Sequence, residues 1–166
     1  MRFITALSAR LICPKPNARP IRHNGQVPDR NGKIFYTSIT SLSHISKKGR
    51  FLAVASSKPE AYVIRILEHL DLLQYFDEVV GASMDEKRSA KKDVIEEALR
   101  RMGKAPGDPS ILMIGDRMHD VEGARLCGLD SLGIYTGFAA EGELEDAGAT
   151  YVVHSIDDMA EFLLRE

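Results

Sequence analysis

Long hydrophobic runs are missing from this chain. No apolar stretch nears the roughly 20 residues a membrane-spanning helix needs, so a transmembrane reading and a membrane partner are excluded. Cysteine is scarce: Cys13 and Cys127 lie far apart and match no metal or redox spacing. A disulfide scaffold is thereby excluded, and reduced thiols predict a cytoplasmic setting. Internal repeats and low-complexity tracts are absent as well. What remains is an ordinary composition, 44% hydrophobic and 28% charged over 166 residues, long enough for one domain with a real core.

Acidic residues are nearly absent from the start. Residues 1–33 hold seven basic side chains and one acid, Asp29, a balance of +6; the remainder carries −8. An acidic body argues against nucleic acid as a partner. The basic start has three readings: an organelle transit peptide, an ordinary N-terminal extension, or a non-native start left when an upstream part of the gene was lost or misread. The last is preferred here. Residues 14–33, rich in Pro, Asn and Gly, lack periodicity and read as a loop. The chain therefore divides into an atypical basic segment, 1–33, and a folded core, 34–166.

The core alternates between two periodicities. After a weak helix over 38–48, Phe51–Ala55 is a short apolar run of the kind a buried parallel strand requires. Pro59 opens a helix whose inward face is Val63, Ile66, Leu67 and Leu70. Strands follow at Phe76–Val80, Ile111–Ile114, Ser131–Tyr135 and Thr150–Val153. Helices are expected over 90–102, 118–127, 141–147 and 156–165, with Gly128 as a left-handed cap. This alternation predicts an α/β fold, a parallel sheet with helices on both faces.

Such sheets place ligands beyond the carboxyl ends of their strands, so the residues after each apolar run matter most. Asp116 leaves the strand Ile111–Ile114 after Gly115, and Asp120 follows at i+4, which aims two carboxylates at one point. Paired acids beside a phosphate hold Mg²⁺, a hard cation that takes oxygen ligands. Equally, both acids could only cap the following helix. Ser56, Ser57 and Lys58 follow Ala55 at a helix N-terminus, a natural seat for an anion, although serine there is often only a cap. Lys91 and Lys92 open the helix at 90–102, where cations oppose the helix dipole. A phosphate ligand would explain them; two solvated surface lysines would be the plain alternative. His119, His154 and Cys127 read as a helix-surface residue, a strand-end residue and a small buried hydrophobe.

Three strings, FLAVASSKPE, RSAKKDVIEEAL and ILMIGDRMHDVEGARLCGLDSLGIYTG, resemble the second, third and fourth motifs of the haloacid dehalogenase-like phosphatases, in order. They are most similar to the phosphoglycolate phosphatase-like branch, and the match covers about Ile34 to Glu166. The resemblance implies a three-layer Rossmann-like core. It implies that Ser56 and Lys91 are catalytic, with Ser56, Ser57, Lys91 and Lys92 around the phosphoryl group and Lys92 as fallback for Lys91. It further implies Mg²⁺ on Asp116 and Asp120, and a small phosphorylated metabolite as substrate. Such enzymes attack phosphorus with an aspartate and hydrolyse the resulting aspartyl-phosphate.

That aspartate belongs to a first motif, Asp-x-Asp-Gly-Thr, which these 166 residues do not contain. Asp29-Arg30-Asn31-Gly32 is a poor imitation that follows no apolar strand. The helical cap that guides substrate choice in this branch is also missing, so phosphoglycolate, nucleotides and sugar phosphates stand level. The core is thus read as truncated and inactive as it stands. The alternatives are a non-catalytic remnant that binds phosphate or Mg²⁺ weakly, or half of a split enzyme completed by a complementing chain or a homo-oligomer. The resemblance also implies that the first-motif strand lies between the strands ending at Ala55 and Ile114. Arg2–Leu7, the one apolar run upstream, is predicted to take that place. A phospho-receiver shares the architecture, but no acidic cluster follows a first strand here.

Overall fold

The structure, a computed structural model, describes residues 4–7, 50–85, 87–136 and 138–165. The loop expected over 14–33, the helix over 38–48 and Cys13 lie outside them.

Among the described residues six parallel strands form one sheet: β1 (Ile4–Leu7), β2 (Leu52–Pro59), β3 (Glu78–Ala82), β4 (Ile111–Gly115), β5 (Asp130–Ile134) and β6 (Tyr151–Val153), in the order β3-β2-β1-β4-β5-β6. Helices α1 (Glu60–His69), α2 (Lys91–Arg101), α3 (Met118–Leu126), α4 (Glu143–Asp146) and α5 (Ile156–Leu164) connect or follow them. β1 lies between β2 and β4, with Leu7 in register with Val54 on one side and Ile114 on the other. The central position is therefore occupied by the N-terminal run.

Strand side chains alternate between faces, and both faces are covered. Ala55, Ile111 and Met113 meet Val94, Ile95, Ala98 and Leu99 of α2 and Ala124 of α3. On the other face Leu112, Ile114, Leu132 and Ile134 meet Leu163 of α5, while Val54 meets Val63 and Leu67 of α1. Each residue of β4 is buried, which is why that strand is apolar throughout rather than alternating. The architecture is a three-layer α/β/α sandwich, as the periodicity and the resemblance predict.

Boundaries shift by one to four residues. β2 runs on through Ser56 to Pro59, and its register with β3 becomes irregular between Ala55 and Pro59. Pro59 is the extended residue before α1 rather than its first helical one, with φ −53° and ψ 132°. β3 starts at Glu78 and not at Phe76, because Asp77 turns the chain: its carboxylate accepts the Leu52 N–H at 2.8 Å and its own N–H donates to the Leu52 carbonyl. In α1 only Val63 and Leu67 are buried, and Ile66 and Leu70 reach half-burial. α3 ends as expected, with Gly128 at φ +68°.

Because β4 is sealed on both faces, truncating Ile114 to alanine should cost about 2–5 kcal/mol. Urea unfolding of the variant measures this; a loss well under 1 kcal/mol would show that β4 is not at the centre of a closed core.

Candidate functional site

One side chain from α2 bridges β2 and the helix that follows β4. Lys91 is the first residue of α2. Its Nζ donates to the Ala55 carbonyl oxygen at 2.9 Å and forms an ion pair with Asp120 Oδ1 at 2.7 Å. Asp120 Oδ2 accepts the Asp116 N–H at 3.1 Å. Leu7 is level with Val54 and Ile114, so this bridge from Ala55 to Asp120 passes over the end of β1. The side chains of Lys91 and Asp120 are 8% and 5% exposed. Charges so deeply placed must be paired, which accounts for the short contact.

Two glycines make the geometry possible. A Cβ on Gly115 would lie 2.1 Å from Asp120 Cβ, so only glycine lets that carboxylate fold back over the strand end. A Cβ on Gly123 would lie 2.6 Å from Lys91 Cγ, so α3 is bare where the lysine stem crosses it. Glycine within a helix costs about 1 kcal/mol against alanine, and the passage of Lys91 is the reason for it here.

Ser56 is buried at the end of β2, where its Oγ accepts the Lys58 N–H at 3.1 Å, leaving the hydroxyl proton able to donate elsewhere. Ser57 is exposed. Asp116 is fully buried at the end of β4. Lys92 turns away, pairing with Glu96 at 3.3 Å on the outer face of α2. Of the two candidate lysines, Lys91 alone reaches Asp120 and the Ala55 carbonyl beside Ser56. His119 is exposed on α3, and Cys127 is buried, its thiol pushed up to about 11 by that burial.

Neither aspartate caps α3. The first amide of that helix, Met118 N–H, donates at 3.0 Å to Glu143 Oε1, which also takes Arg117 Nε at 2.7 Å. Glu143 Oε2 accepts the Ala140 N–H at 3.1 Å. Arg117 first, then these amides, hold the Glu143 carboxyl down to about 2. Glu143 raises the Arg117 pKa in turn, and the charges of Asp116 and Asp120 add to it. No local sequence pattern announces Glu143, which stands well along the chain from the helix it caps. The glycine inside α3 was a usable signal for the Lys91 crossing.

The donor set suits a hard cation. Mg²⁺ sites commonly use one or two carboxylates and complete their shell with phosphate oxygens and water. Asp116 and Asp120 fit that description, although Asp120 already serves Lys91 and an amide. Among the described residues no group of three or more His, Cys, Asp and Glu side chains gathers as a self-sufficient metal site. After Leu7 the chain continues with Ser8 and Ala9, neither a carboxylate.

A family model described as haloacid dehalogenase-like hydrolase matches residues 14–134. The chain belongs to the haloacid dehalogenase-like hydrolases. Among its relatives is the tyrosine-protein kinase PtkA of Mycobacterium tuberculosis, 36% identical over 124 residues, 74% of this chain and 42% of that protein. The phosphoglycolate phosphatase of Escherichia coli K12 is 27% identical over 138 residues, 83% of this chain and 54% of that protein. A predicted phosphatase from Clostridium acetobutylicum has a similar crystal structure, with a TM-score of 0.74 and 40% identity over 81% of this chain and 61% of that one. The chain spans about half the length of the curated relatives it matches. Within this haloacid dehalogenase-like family its kinship lies with phosphatases, including phosphoglycolate phosphatases.

Two outcomes follow from the geometry. Gly123→Ala should displace the Lys91 stem and lower thermal stability, by about 1–3 kcal/mol if the helix cannot retreat; an unchanged melting temperature would mean that Lys91 does not cross there. The folded Glu143 pKa lies below the ordinary 4.5, so its stabilising contribution is present above that value and lost as pH falls toward 2. Glu143→Gln should remove that part of the acid limb in a pH series of unfolding midpoints.

Proposed function

We propose that this chain recognises the phosphoryl group of a small phosphorylated metabolite at the carboxyl end of its sheet, with Mg²⁺ as counter-ion, and does not by itself turn phosphate esters over. The single observation that carries this reading is the convergence of Lys91 with Asp120 and the ends of β2 and β4. The Lys91 ammonium is paired with Asp120 and the Ala55 carbonyl, and Ser56 and Asp116, next to Ala55 and Gly115, are buried as well. That combination offers a cation and a donor for phosphoryl oxygens and hard oxygen ligands for a metal.

Each residue has a part to play. Ser56 donates its hydroxyl to a phosphoryl oxygen, Ser57 stands at the rim, and Lys91 neutralises charge. Lys92, committed to Glu96, is left out. Asp116 and Asp120 would hold Mg²⁺, which supplies further neutralisation of the phosphoryl oxygens when bound. Phosphoryl transfer rests mainly on positioning and charge, and these residues supply both. The attacking carboxylate is what the 166 residues lack, since no Asp-x-Asp occurs in them. The relatives are named as phosphatases and as a tyrosine kinase, and the feature common to those names is a phosphoryl group rather than one substrate. A cytoplasmic location and the absence of nucleic-acid and membrane partners belong to the same proposal.

A second reading rests on the lack of a carboxylate after Leu7: a complementing chain, or another copy of this one, supplies the acid. An adjacent reading frame encoding an Asp-x-Asp-Gly-Thr segment would support it, and co-expression should then restore activity.

Purified 166-residue protein should hydrolyse p-nitrophenyl phosphate no faster than buffer. It should nevertheless bind inorganic phosphate in the presence of Mg²⁺, and Lys91→Ala should weaken that binding by about tenfold or more, the usual scale for a charge-assisted contact. Magnesium-dependent turnover abolished by Asp116→Ala would overturn the inactive reading. Phosphate binding indifferent to Lys91 would overturn the phosphoryl reading.

A further inference from the structure

Away from the bridge lies a closed ring of alternating charges. Glu60, the first residue of α1, takes Arg101 in a fork: Nη1 reaches Oε1 at 3.1 Å and Nη2 reaches Oε2 at 3.0 Å. Arg88 Nη2 donates to the same Oε2 at 3.2 Å. Arg88 Nη1 lies 3.8 Å from Glu97 Oε1, and that oxygen accepts Arg101 Nε at 2.8 Å, which closes the circuit. The four side chains keep between 17% and 26% of their exposure, so solvent screens them only in part.

The ring is fastened to backbone. Arg88 Nε donates to the Gly81 carbonyl at 2.9 Å, and the Gly81 N–H donates to Glu60 Oε2 at 3.2 Å. Gly81 has no room for a side chain: a Cβ there would lie 2.4 Å from Glu60 Cα and 2.6 Å from the Lys58 carbonyl oxygen. The end of β3 is therefore wedged against the junction of β2 and α1, at Lys58 and Glu60. Arg88 precedes Lys91 by three residues, and Glu60 follows Ser56 by four.

We propose that Glu60, Arg88, Glu97 and Arg101 are positioning residues for the phosphoryl seat, holding the strand that carries Ser56 and the helix start that carries Lys91 at one separation. The function proposed above supplies the premise that Ser56 and Lys91 serve one phosphoryl group. None of the four touches the ligand. An isolated surface ion pair contributes little, but a forked arginine within a closed network resists sliding in two directions. Arginine suits both cationic corners, because its planar guanidinium holds several donors in a fixed fork, whereas a lysine ammonium is a single point charge. A lysine whose tip must reach both Ala55 and Asp120 tolerates little movement of its helix. Arg100 is the internal contrast: it donates to Glu97 Oε2 at 2.7 Å and Oε1 at 2.9 Å from the exposed side, 72% accessible, and is tied neither to Glu60 nor to Gly81.

The test uses the full chain and two readouts. The Lys91 ammonium, held by a carbonyl and a carboxylate, should give a ¹H–¹⁵N signal, assigned by its loss in Lys91→Ala. The second readout is the Kd for inorganic phosphate with Mg²⁺. Arg88→Met should broaden or shift the ammonium signal and weaken phosphate binding about fivefold or more, the scale of coupling between contacting groups. Arg100→Met, which leaves the ties to Glu60 and Gly81 intact, should weaken phosphate binding by less than about twofold. Should Arg88→Met fail to fold, Arg88→Lys, which keeps the charge and loses the fork, is read in the same way. An Arg88 variant that melts earlier yet keeps the wild-type ammonium signal and Kd overturns the proposal, for then the ring only stabilises the fold. Wild-type protein that binds no phosphate would sink the phosphoryl reading alone, since the ammonium signal still decides whether the ring positions Lys91.

Discussion

The Lys91 ammonium sits over the end of β1, between a carbonyl of β2 and a carboxylate of α3. A buried charge of this kind is tolerable only while both partners stay in place; removal of one would leave an unpaired ion and cost about 3–5 kcal/mol. Much else in the structure answers to that requirement. α3 carries a glycine where the lysine stem crosses it, and β4 ends in a glycine so that Asp120 can fold back. The Asp116 amide fixes the second oxygen of Asp120. The pairing thus ties two strands and two helices at the edge where an α/β sheet receives its ligands.

Fold and chemistry separate cleanly at β1. A central parallel strand needs apolar side chains and backbone partners, and Ile4–Leu7 has both neighbours in register. Those demands are generic, and many short apolar runs would meet them. The chemistry that haloacid dehalogenase-like hydrolases place after this strand is a demand on single residues, and Ser8 and Ala9 stand next in this sequence. The architecture therefore does not depend on which residue follows Leu7, which is why membership in the family and catalytic competence are different questions.

Much of the sheet was legible because inner strands contain apolar runs, such as residues 52–55 and 111–114, closed by serine or glycine, and because period and length agree. The site was legible to the same extent, since its residues follow those runs directly. Lys91 and Lys92 were not separable: adjacent helical residues differ by about a quarter turn, and which one faces inward depends on how α2 is rotated against the sheet. Val94, Ile95, Ala98 and Leu99 set that rotation by burying themselves on Ala55, Ile111 and Met113. β2 outran its apolar stretch for a related reason. Pairing with β3 continues to Ala82 opposite Pro59, carrying Ser56, Ser57 and Lys58 in extended backbone. The charge ring and Glu143 were invisible because their partners come from distant segments, and charges on a helix ordinarily mean only a solvated face.

Glu143 resolves the ambiguity that the spacing of Asp116 and Asp120 leaves open. An α-helix that begins at a buried strand end needs an acceptor for its first amides, and the nearest carboxylates usually provide it. Here the acceptor arrives from α4, which binds Met118 N–H and Arg117 together and brings the Ala140 amide with it. With that end satisfied from outside, Asp120 can turn its carboxylate back toward Lys91 and the end of β4. Two acids at i and i+4 would otherwise be indistinguishable from a capping pair. The residue that gives them a different role is one that neither touches the proposed ligand nor lies near them in sequence. The roles open to Asp116 and Asp120 are therefore set as much by the residue that caps α3 as by their own spacing.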